Sequence, residues 1–293
     1  MLFRSFLPNV PSIEIMQEGL TTIIEVYKTV ARHLTRTDEE KNTFFIPSSL
    51  QIFFGTIAQY EQALLEAKMN KRESYMPDEL LISASSLSVE KGYTIDIEKY
   101  RESYNASKFR GEDIEKVCHK YLEGMQWILS YYTKAISTWD WIYPYHYSPF
   151  CFDLTLSLST YIPKLLTYSP PTPPFLQLLY VLPSKSSDLI PPPLNTLLYK
   201  SSPISEFYPE EFKIDYSGKK EKWEGVILIP MVDIEKVKRA YNSLVRNVSD
   251  SDKKRNTIGK TLLYKVGGQE FLSNLRTYWG EIKNCSVITE CIE

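Results

Sequence analysis

Half of the prolines in this chain are concentrated in one short stretch. Nine of the 18 prolines lie between Pro163 and Pro193. Proline lacks a backbone N–H and disfavours helix in the residue before it, so this density excludes long helices and central strands there. Apolar residues are interleaved with the prolines and serine does not dominate, unlike in a flexible linker. We therefore predict that residues 160–210 form an ordered strap lying on the core, with one short helix near residues 175–180.

Amphipathic helices are predicted on both sides of this strap. The strongest pattern covers residues 112–136, with acidic residues in its first turn. Its inward-facing residues are predicted to be Val117, Tyr121, Met125, Ile128, Leu129 and Tyr132. Pro47, followed by two serines, marks another helix start, and Asp233 is the expected N-cap of a later helix. Helices are thus predicted over residues 14–34, 50–69, 112–136, 233–245 and 269–279.

The remaining segments predict loops and one β element. Apolar and polar residues alternate before Gly218 and an apolar run follows it, which is typical of a β-hairpin over residues 211–230. Residues 71–104 are polar and predict loop with short helical pieces, and residues 249–256 predict a solvated loop. The predicted fold is mainly α, an irregular helical domain with long Pro-rich loops and one small β-hairpin.

Composition limits the possible partners. The 293 residues include 43% apolar and 24% charged residues, enough to bury a sizeable core. A net charge of -2 gives no overall basic field, so any nucleic-acid surface must be local. No uninterrupted apolar run could cross a bilayer, so no membrane partner is expected. The four cysteines are widely spaced without a C-x-x-C pair, which predicts reduced, mostly buried thiols in an intracellular protein rather than a zinc site.

No catalytic motif is recognisable from the residues alone. His33, His119 and His146 are the three histidines, and each has a structural explanation at a helix end, on a helix, or among aromatic rings. The sequence contains no nucleophile elbow, phosphate-binding glycine loop or dinucleotide fingerprint. No pair of carboxylates lies on an apolar strand where it could bridge two metal ions. The residues by themselves therefore indicate no active site.

The most distinctive segment is TWDWIYPYHYSPF, residues 138–150. Six of its 13 residues are Trp, Tyr or Phe, and two prolines stiffen it. Such rings could form a core layer beneath a loop, since buried aromatic clusters are often structural. They could equally form a platform on which nucleic-acid bases stack, with little sequence preference. Composition alone leaves both interpretations open.

The surrounding sequence carries a family resemblance. Residues 124–150 combine a Trp on a predicted helix, a tyrosine cluster, a W-x-W pair and P-Y-H-Y. This combination resembles the Xrn family of 5′→3′ exoribonucleases. Residues 6–15 (FLPNVPSIEI) and residues 174–191 (PFLQLLYVLPSKSSDLIP) are similar to further family segments, as are residues 202–230 along their whole length. The colinear similarity extends over residues 6–245.

The resemblance implies a place within the family's core. Family members remove nucleotides one by one from the 5′ end of single-stranded RNA that carries a 5′-monophosphate. Divalent metal ions, expected to be Mg²⁺, lie on acids of an N-terminal nuclease lobe. Residues 1–293 correspond to the second conserved, helical region, which packs on that lobe and closes the substrate channel. The resemblance thus implies that the nuclease lobe is absent and that this chain has no catalytic residue, metal ligand or cofactor of its own.

One departure from the family pattern concerns a metal ligand. The family has an aspartate ligand just before F-L-P, whereas this sequence has Ser5, which cannot supply the anionic oxygen that Mg²⁺ prefers. Either residues 1–5 are not native, or the gene has lost this ligand.

The resemblance also assigns roles within residues 138–150. In the family, an aromatic residue of this segment caps a column of stacked bases, and Trp139 and Trp141 both match the paired tryptophans. Tyr143, Tyr145, His146 and Tyr147 are expected to hold the loop in shape. Asp140 should point away from RNA, since an acid beside the phosphate backbone would weaken binding.

Two functions follow from the resemblance. In the first, the chain is the helical part of a 5′→3′ exoribonuclease of RNA decay or processing, and is inactive by itself. In the second, it is a non-catalytic RNA-binding or scaffold protein derived from this family, as Ser5 and the compact length suggest. Residues 50–66 lean toward the family's cytoplasmic branch rather than its nuclear branch, so a cytoplasmic location is expected.

Overall fold

The computed structural model describes residues 6–13, 19–30, 32–71, 76–90, 92–267 and 286–292. Within these residues the chain forms ten α-helices and four two-stranded antiparallel sheets, so the predicted mainly α, irregular helical fold is confirmed. Where the sequence predicted one β-hairpin, the described residues thus contain three further small sheets. In the same part of the chain, no helix is long and apolar enough to cross a membrane.

The first elements form a helical layer with one small sheet. They are α1 (Leu20–Val30), β1 (Thr35–Thr37), β2 (Thr43–Phe45), α2 (Pro47–Ala58) and α3 (Glu61–Lys71). As predicted, α2 begins at Pro47, because a proline at the first helical position loses no hydrogen bond. The single helix predicted over residues 50–69 is wrong, since a turn at Gln59 and Tyr60 separates α2 from α3.

The next group of elements begins within residues 71–104, which were predicted to be loop with short helical pieces. They are α4 (Glu79–Ser83), β3 (Ser85–Ser88), β4 (Gly92–Ile95), α5 (Ile97–Phe109) and α6 (Ile114–Thr133). Residues 71–104 therefore contain a hairpin and the first half of a 13-residue helix. Asp96 caps α5 by accepting a hydrogen bond from the Lys99 N–H at 3.0 Å. Tyr100 and Tyr104, one helical turn apart, supply its buried face.

Helix α6 lies within the predicted segment 112–136. Val117 and Tyr121 are buried as predicted, whereas Tyr132 is 71% exposed, so its predicted inward position is wrong. The buried face passes through Gln126 instead, a polar residue that the hydrophobic pattern did not include.

Gln126 is buried because it pairs with the backbone of β2. Its side-chain Oε1 accepts a hydrogen bond from the Phe45 N–H at 3.1 Å, and its Nε2 donates to the Thr43 carbonyl at 2.9 Å. The Gln126 amide thus forms hydrogen bonds with β2 as a neighbouring strand would. Its polar atoms are therefore satisfied inside the core.

The Pro-rich part of the chain contains little regular structure. The elements here are α7 (Cys151–Ser157), α8 (Pro174–Val181), β5 (Lys213–Asp215) and β6 (Val226–Leu228). Helix α8 confirms the short helix predicted near residues 175–180. Strands β5 and β6 confirm the predicted hairpin, with Ile214 opposite Ile227. Its connection is longer than a tight turn and includes a short 3₁₀-helix at Lys222–Glu224.

The last elements are α9 (Ile234–Leu244), α10 (Asp250–Arg255), β7 (Thr261–Gly267) and β8 (Ser286–Ile292). The predicted N-cap of α9 is confirmed, because Asp233 accepts a hydrogen bond from the Lys236 N–H at 2.9 Å. The solvated loop predicted over residues 249–256 is wrong: Ser249 caps a short helix there. The helix predicted over residues 269–279 lies outside the described residues.

Three hydrophobic cores organise these elements. The first core joins α1, α2, α6 and α7, and its most deeply buried side chains include Leu50, Ile57, Leu122 and Leu154. The second core joins α8, α9 and the irregular segment between α8 and β5, and includes Leu179, Leu194, Leu198, Ile204 and Val237. The Pro-rich strap therefore does more than lie on a core: its leucines build one of their own. The third core joins α3, α4, β4 and α5, and its buried side chains include Leu65, Leu81, Ile95 and Tyr104.

A buried carboxylate connects three parts of the first core. Glu61 is 1% exposed and opens α3, directly after the turn that ends α2. It accepts hydrogen bonds from the Ser12 hydroxyl (2.8 Å) and from the N–H groups of Cys151 (3.0 Å) and Phe152 (3.2 Å) at the start of α7. The break between α2 and α3 thus allows Glu61 to satisfy orphan amides at a helix N-terminus. Burial is the main influence on this carboxyl and raises its pKa.

Candidate nucleic-acid interface

The aromatic segment, residues 138–150, connects α6 to α7 without regular secondary structure. Its last residue, Phe150, is fully buried against Tyr100 and Tyr104, with ring centroids at 5.8 and 5.1 Å. Its first half is more exposed and lies between α6, α9 and the Pro-rich strap. The segment therefore contains both a core layer and exposed rings, rather than one or the other.

Trp139 has an exposed ring on a fixed backbone. Its side chain is 46% exposed, and no aromatic ring of the described residues pairs with its indole. Its backbone N–H donates to the Ser169 hydroxyl at 2.8 Å. The preceding carbonyl, that of Thr138, accepts a hydrogen bond from the Trp127 indole at 3.0 Å. A flat apolar surface is thus presented to solvent at a defined position.

Trp141 is held from two sides. Its indole N–H donates to Glu123 Oε1 at 2.8 Å, and its ring stacks on Trp127 with centroids 5.8 Å apart and 21° between planes. Trp127 in turn stacks on Tyr131 at 5.8 Å and 2°. These three rings form a column along α6. Trp141 is therefore half-buried and held against α6, whereas the Trp139 ring is exposed.

Gly124 of α6 makes room for the Trp141 ring. A Cβ atom at this position would lie 2.9 Å from Trp141 Cζ2 and 2.8 Å from Leu7 Cδ2, both closer than normal carbon contacts. The glycine is therefore explained by close packing inside a helix, where it otherwise costs about 1 kcal/mol relative to alanine.

Gly124→Ala should lower the free energy of unfolding, although this change usually stabilises a helix. Overpacking costs about 1–3 kcal/mol and outweighs the propensity gain of about 1 kcal/mol. Urea unfolding should show the loss in the wild-type background. In a Trp141→Ala background the clash with the indole is removed and only the contact with Leu7 remains, so the cost of Gly124→Ala should become clearly smaller there. A stabilising effect in the wild-type background would contradict the packing described.

Asp140 points toward α9. Its Oδ2 lies 2.9 Å from Lys238 Nζ, and the same ammonium lies 3.3 Å from Glu235 Oε1. The sequence-based expectation was that Asp140 turns away from RNA. The ion pair directs its carboxylate to the second core while its neighbour Trp139 stays exposed.

Tyr143 and Tyr145 pack inside the segment. Tyr143 is 7% exposed, its ring meets that of Tyr145 edge-on at 5.5 Å, and its hydroxyl donates to the Tyr147 carbonyl at 2.9 Å. Burial raises the pKa of Tyr143 well above its usual value. Tyr145 also packs edge-on against Phe109 at 5.8 Å. Both rings thus fix the shape of the loop.

His146 is a neutral, structural histidine. Burial lowers its pKa, which outweighs a hydrogen bond with the Ile229 backbone just after β6. Its Nε2 is buried and has no hydrogen-bond partner among the described residues. A protonated ring would leave an unsatisfied N–H there, so the neutral form is favoured.

Tyr147 belongs to a partly buried polar triad. Its hydroxyl donates to Asp215 Oδ2 at 2.6 Å, and Lys108 Nζ lies 2.5 Å from the same oxygen. Burial alone would raise the pKa of Asp215, but hydrogen bonds from Lys108, Ser217 and Tyr147 hold it below its usual range. The triad ties the aromatic segment to α5 and β5.

The structure brings the six predicted residues together with partners that the sequence did not indicate. Trp139, Trp141, Tyr143, Tyr145, His146 and Tyr147 lie on one continuous loop. Ser169, Asp215 and Lys238, which hold it, are separated from it by 30, 68 and 98 residues. Of these supporting contacts, the sequence could have indicated only the stacking of Trp127 on Tyr131. The two residues lie one helical turn apart and on the same side of α6.

The described residues do not fit a divalent metal site. No group of three or more His, Cys, Asp or Glu side chains within them could hold a metal ion. Ser5, at the position of the family's aspartate ligand, lies outside the described residues. Cys118 and Cys151 are free and buried, as predicted, and burial raises the pKa of Cys118 to about 12. These thiols are therefore protonated and unsuited to metal binding.

Comparison with known proteins decides the family. The model of the Xrn1 helical domain matches residues 90–286, more than half of the chain. The chain belongs to the Xrn1 helical domain family. Its match includes α5, α6 and the aromatic segment, so the exposed Trp139 and the column beneath it lie within the shared domain. The resemblance inferred from the sequence is confirmed.

Individual relatives agree with this assignment. The 5′-3′ exoribonuclease 2 of Cryptococcus neoformans is 40% identical over 197 residues, which are 62% of this chain and 17% of that protein. The 5′-3′ exoribonuclease 1 of Saccharomyces cerevisiae is 39% identical over 183 residues, 60% of this chain and 12% of that protein. The 5′-3′ exoribonuclease 2 of Schizosaccharomyces pombe is 38% identical over 171 residues, 56% and 17% of the two chains. This chain thus spans less than a fifth of each of these relatives.

Proposed function

We propose that this chain is the helical part of a 5′→3′ exoribonuclease and that it stacks bases of single-stranded RNA on Trp139. The observation that carries the proposal is a half-exposed indole held on a rigid loop inside an exoribonuclease family domain. Contact between an aromatic ring and water is unfavourable, so burying an exposed ring under a flat ligand is favourable. A ring held at a fixed position is suited to this. Base–aromatic stacking needs little sequence information, as expected for a processive enzyme.

Trp141 supports this platform rather than binding RNA. Its ring is covered by Trp127, and its N–H is used by Glu123. Tyr143, Tyr145, His146 and Tyr147 act in the same way, since each has a partner inside the protein. Pre-organisation of the loop reduces the conformational entropy lost when RNA binds.

Catalysis is assigned to another part of the parent protein. The relatives are exoribonucleases by name, and the family resemblance implies 5′-monophosphorylated RNA as substrate and Mg²⁺ on acids of an N-terminal lobe. Residues 1–293 are proposed to contribute no metal ligand and no nuclease activity alone. Their role is to shape the RNA channel beside that lobe. Because the net charge is -2, residues 1–293 alone should bind RNA weakly, and this binding should be lost at high salt.

The affinity of purified residues 1–293 for short single-stranded RNA tests the proposal. Trp139→Ala should weaken binding by about 1–3 kcal/mol, the worth of one base–aromatic stack, without lowering thermal stability. Trp141→Phe is the matched control, since it keeps a ring in the column but loses the Glu123 hydrogen bond. It should lower stability by about 1 kcal/mol and weaken RNA affinity by less than Trp139→Ala does.

Fluorescence anisotropy in Mg²⁺ buffer at low ionic strength measures the affinity, and gel analysis of the same samples measures RNA length. We expect intact RNA after incubation. Equal affinities of wild type and Trp139→Ala would reject the stacking role, and steady shortening from the 5′ end would reject the division of labour.

A further inference from the structure

We propose that Lys238 and Asp140 act together as positioning residues that orient Trp139 for base stacking, an inference that rests on the function proposed above. Trp139 touches the base, whereas the two charged residues act only through the loop. Their ion pair joins the aromatic segment to α9, and so to the second core. Elements of the first and second cores thus hold the platform together.

The position of the Trp139 ring depends on its backbone. The ring has no partner ring among the described residues, so no ring stacking within them fixes its orientation. Two backbone anchors lie on the N-terminal side: the Trp127 indole bound to the Thr138 carbonyl, and the Ser169 hydroxyl bound to the Trp139 N–H. After Trp139, the Asp140 N–H donates to the Thr138 hydroxyl at 3.3 Å and the Trp141 indole donates to Glu123 at 2.8 Å.

The Asp140–Lys238 pair adds an anchor from α9 on the C-terminal side. Both side chains are 27% exposed and their charged atoms are 2.9 Å apart. Burial disfavours the charged ammonium, but its hydrogen bonds with Asp140 and Glu235 prevail and raise the pKa of Lys238. The Lys238 ammonium is therefore charged at neutral pH. With this ion pair, Trp139 is fixed from α6, from the strap and from α9.

Two single substitutions separate positioning from simple charge effects. Lys238→Met removes a positive charge and Asp140→Asn removes a negative one. If only charge mattered, Asp140→Asn would strengthen RNA binding and Lys238→Met would weaken it, because RNA is an anion. Positioning predicts that both weaken it, by about two- to tenfold and by less than Trp139→Ala. The variant with both substitutions should bind RNA no more weakly than the weaker-binding single variant, because each substitution removes the same ion pair.

Lys236→Met is the matched control. Lys236 lies on α9 two residues earlier and pairs with Glu206 at 2.6 Å, away from the aromatic segment. Lys236→Met changes the net charge by the same amount as Lys238→Met. An effect of charge alone should therefore be equal in the two variants. We expect affinity close to wild type for Lys236→Met.

The readout is the ratio of affinities for oligoadenylate and oligouridylate, measured by anisotropy beside thermal unfolding. Adenine stacks more strongly than uracil, so the ratio reports stacking, whereas a small loss of stability does not change it. Lys238→Met and Asp140→Asn should both lower the ratio toward that of Trp139→Ala. Tighter binding by Asp140→Asn, or an unchanged ratio in both, overturns the positioning role. If Trp139→Ala leaves both the RNA affinity and the ratio unchanged, the proposed stacking function is wrong, and the positioning role is wrong with it.

Discussion

Lys108→Met should lower the free energy of unfolding by up to about 3 kcal/mol, because it leaves a partly buried carboxylate without its cation. Lys108 and Asp215 are each 14% exposed, so solvent cannot replace the lost partner efficiently. The ammonium also lies 4.6 Å from the centre of the Tyr147 ring, and this cation–π contact is lost too. Methionine keeps the length and most of the apolar stem, which limits the cavity.

The effect of Lys108→Met should depend on pH with a definite sign. The folded-state pKa of Asp215 is lowered, so its contribution to stability is present above the unfolded pKa of about 3.9 and is lost as pH falls through the folded value. The gap between wild type and Lys108→Met should therefore be full near neutral pH and shrink below about pH 4.

Urea unfolding at several pH values measures this gap. Lys116→Met is the control, since Lys116 pairs with Glu112 on the surface, with side chains 61% and 45% exposed. Its loss should cost less than about 0.5 kcal/mol at any pH. A gap for Lys108→Met that stays constant down to strong acid would contradict the role given to Asp215.

Glu61→Ala should also cost about 3 kcal/mol, for a different reason. It leaves the Ser12 hydroxyl and the Cys151 and Phe152 N–H groups without acceptors inside the first core, and it opens a cavity. Glu102→Ala, an exposed position on α5, is the control and should be nearly neutral.

Glu61 should show the opposite pH dependence to Asp215. Burial raises its folded-state pKa, so its contribution is fully present below the unfolded value of about 4.3 and is lost as pH rises through the raised value. Wild type should thus gain stability from this group on mild acidification, and Glu61→Gln should lack that gain. Unfolding of both proteins between neutral pH and pH 4 would show it. An equal pH response in both proteins, or a cost for Glu61→Ala no larger than for Glu102→Ala, would disprove the assignment.

Local patterns in the sequence predicted much of the fold. Helices α6 and α9 follow from apolar spacing and from aspartate caps, signals that lie within a few residues of each other. Tyr132 and Gln126 were misjudged because the buried face of α6 is set by β2, which is more than 80 residues away in the chain. Residues 50–69 were predicted as one helix. The break before α3 places Glu61 against the start of α7, which is equally remote in the sequence.

The candidate site divides in the same way. The aromatic segment was recognisable because its rings are adjacent in sequence. The difference between Trp139 and Trp141 was not, since it depends on Glu123, Ser169 and the stack along α6. Partners that act across tens of residues leave no periodic signal, and the cytoplasmic location stays a prediction that none of these contacts tests.

The most direct test of the account is the fluorescence of 2-aminopurine placed in single-stranded RNA and bound to residues 1–293. Stacking on an indole quenches this base, so saturating wild-type protein should lower its emission. Trp141→Phe should quench it equally, whereas Trp139→Ala at saturation should leave emission close to that of free RNA. The same quenching by Trp139→Ala as by wild type would show that another group holds the base.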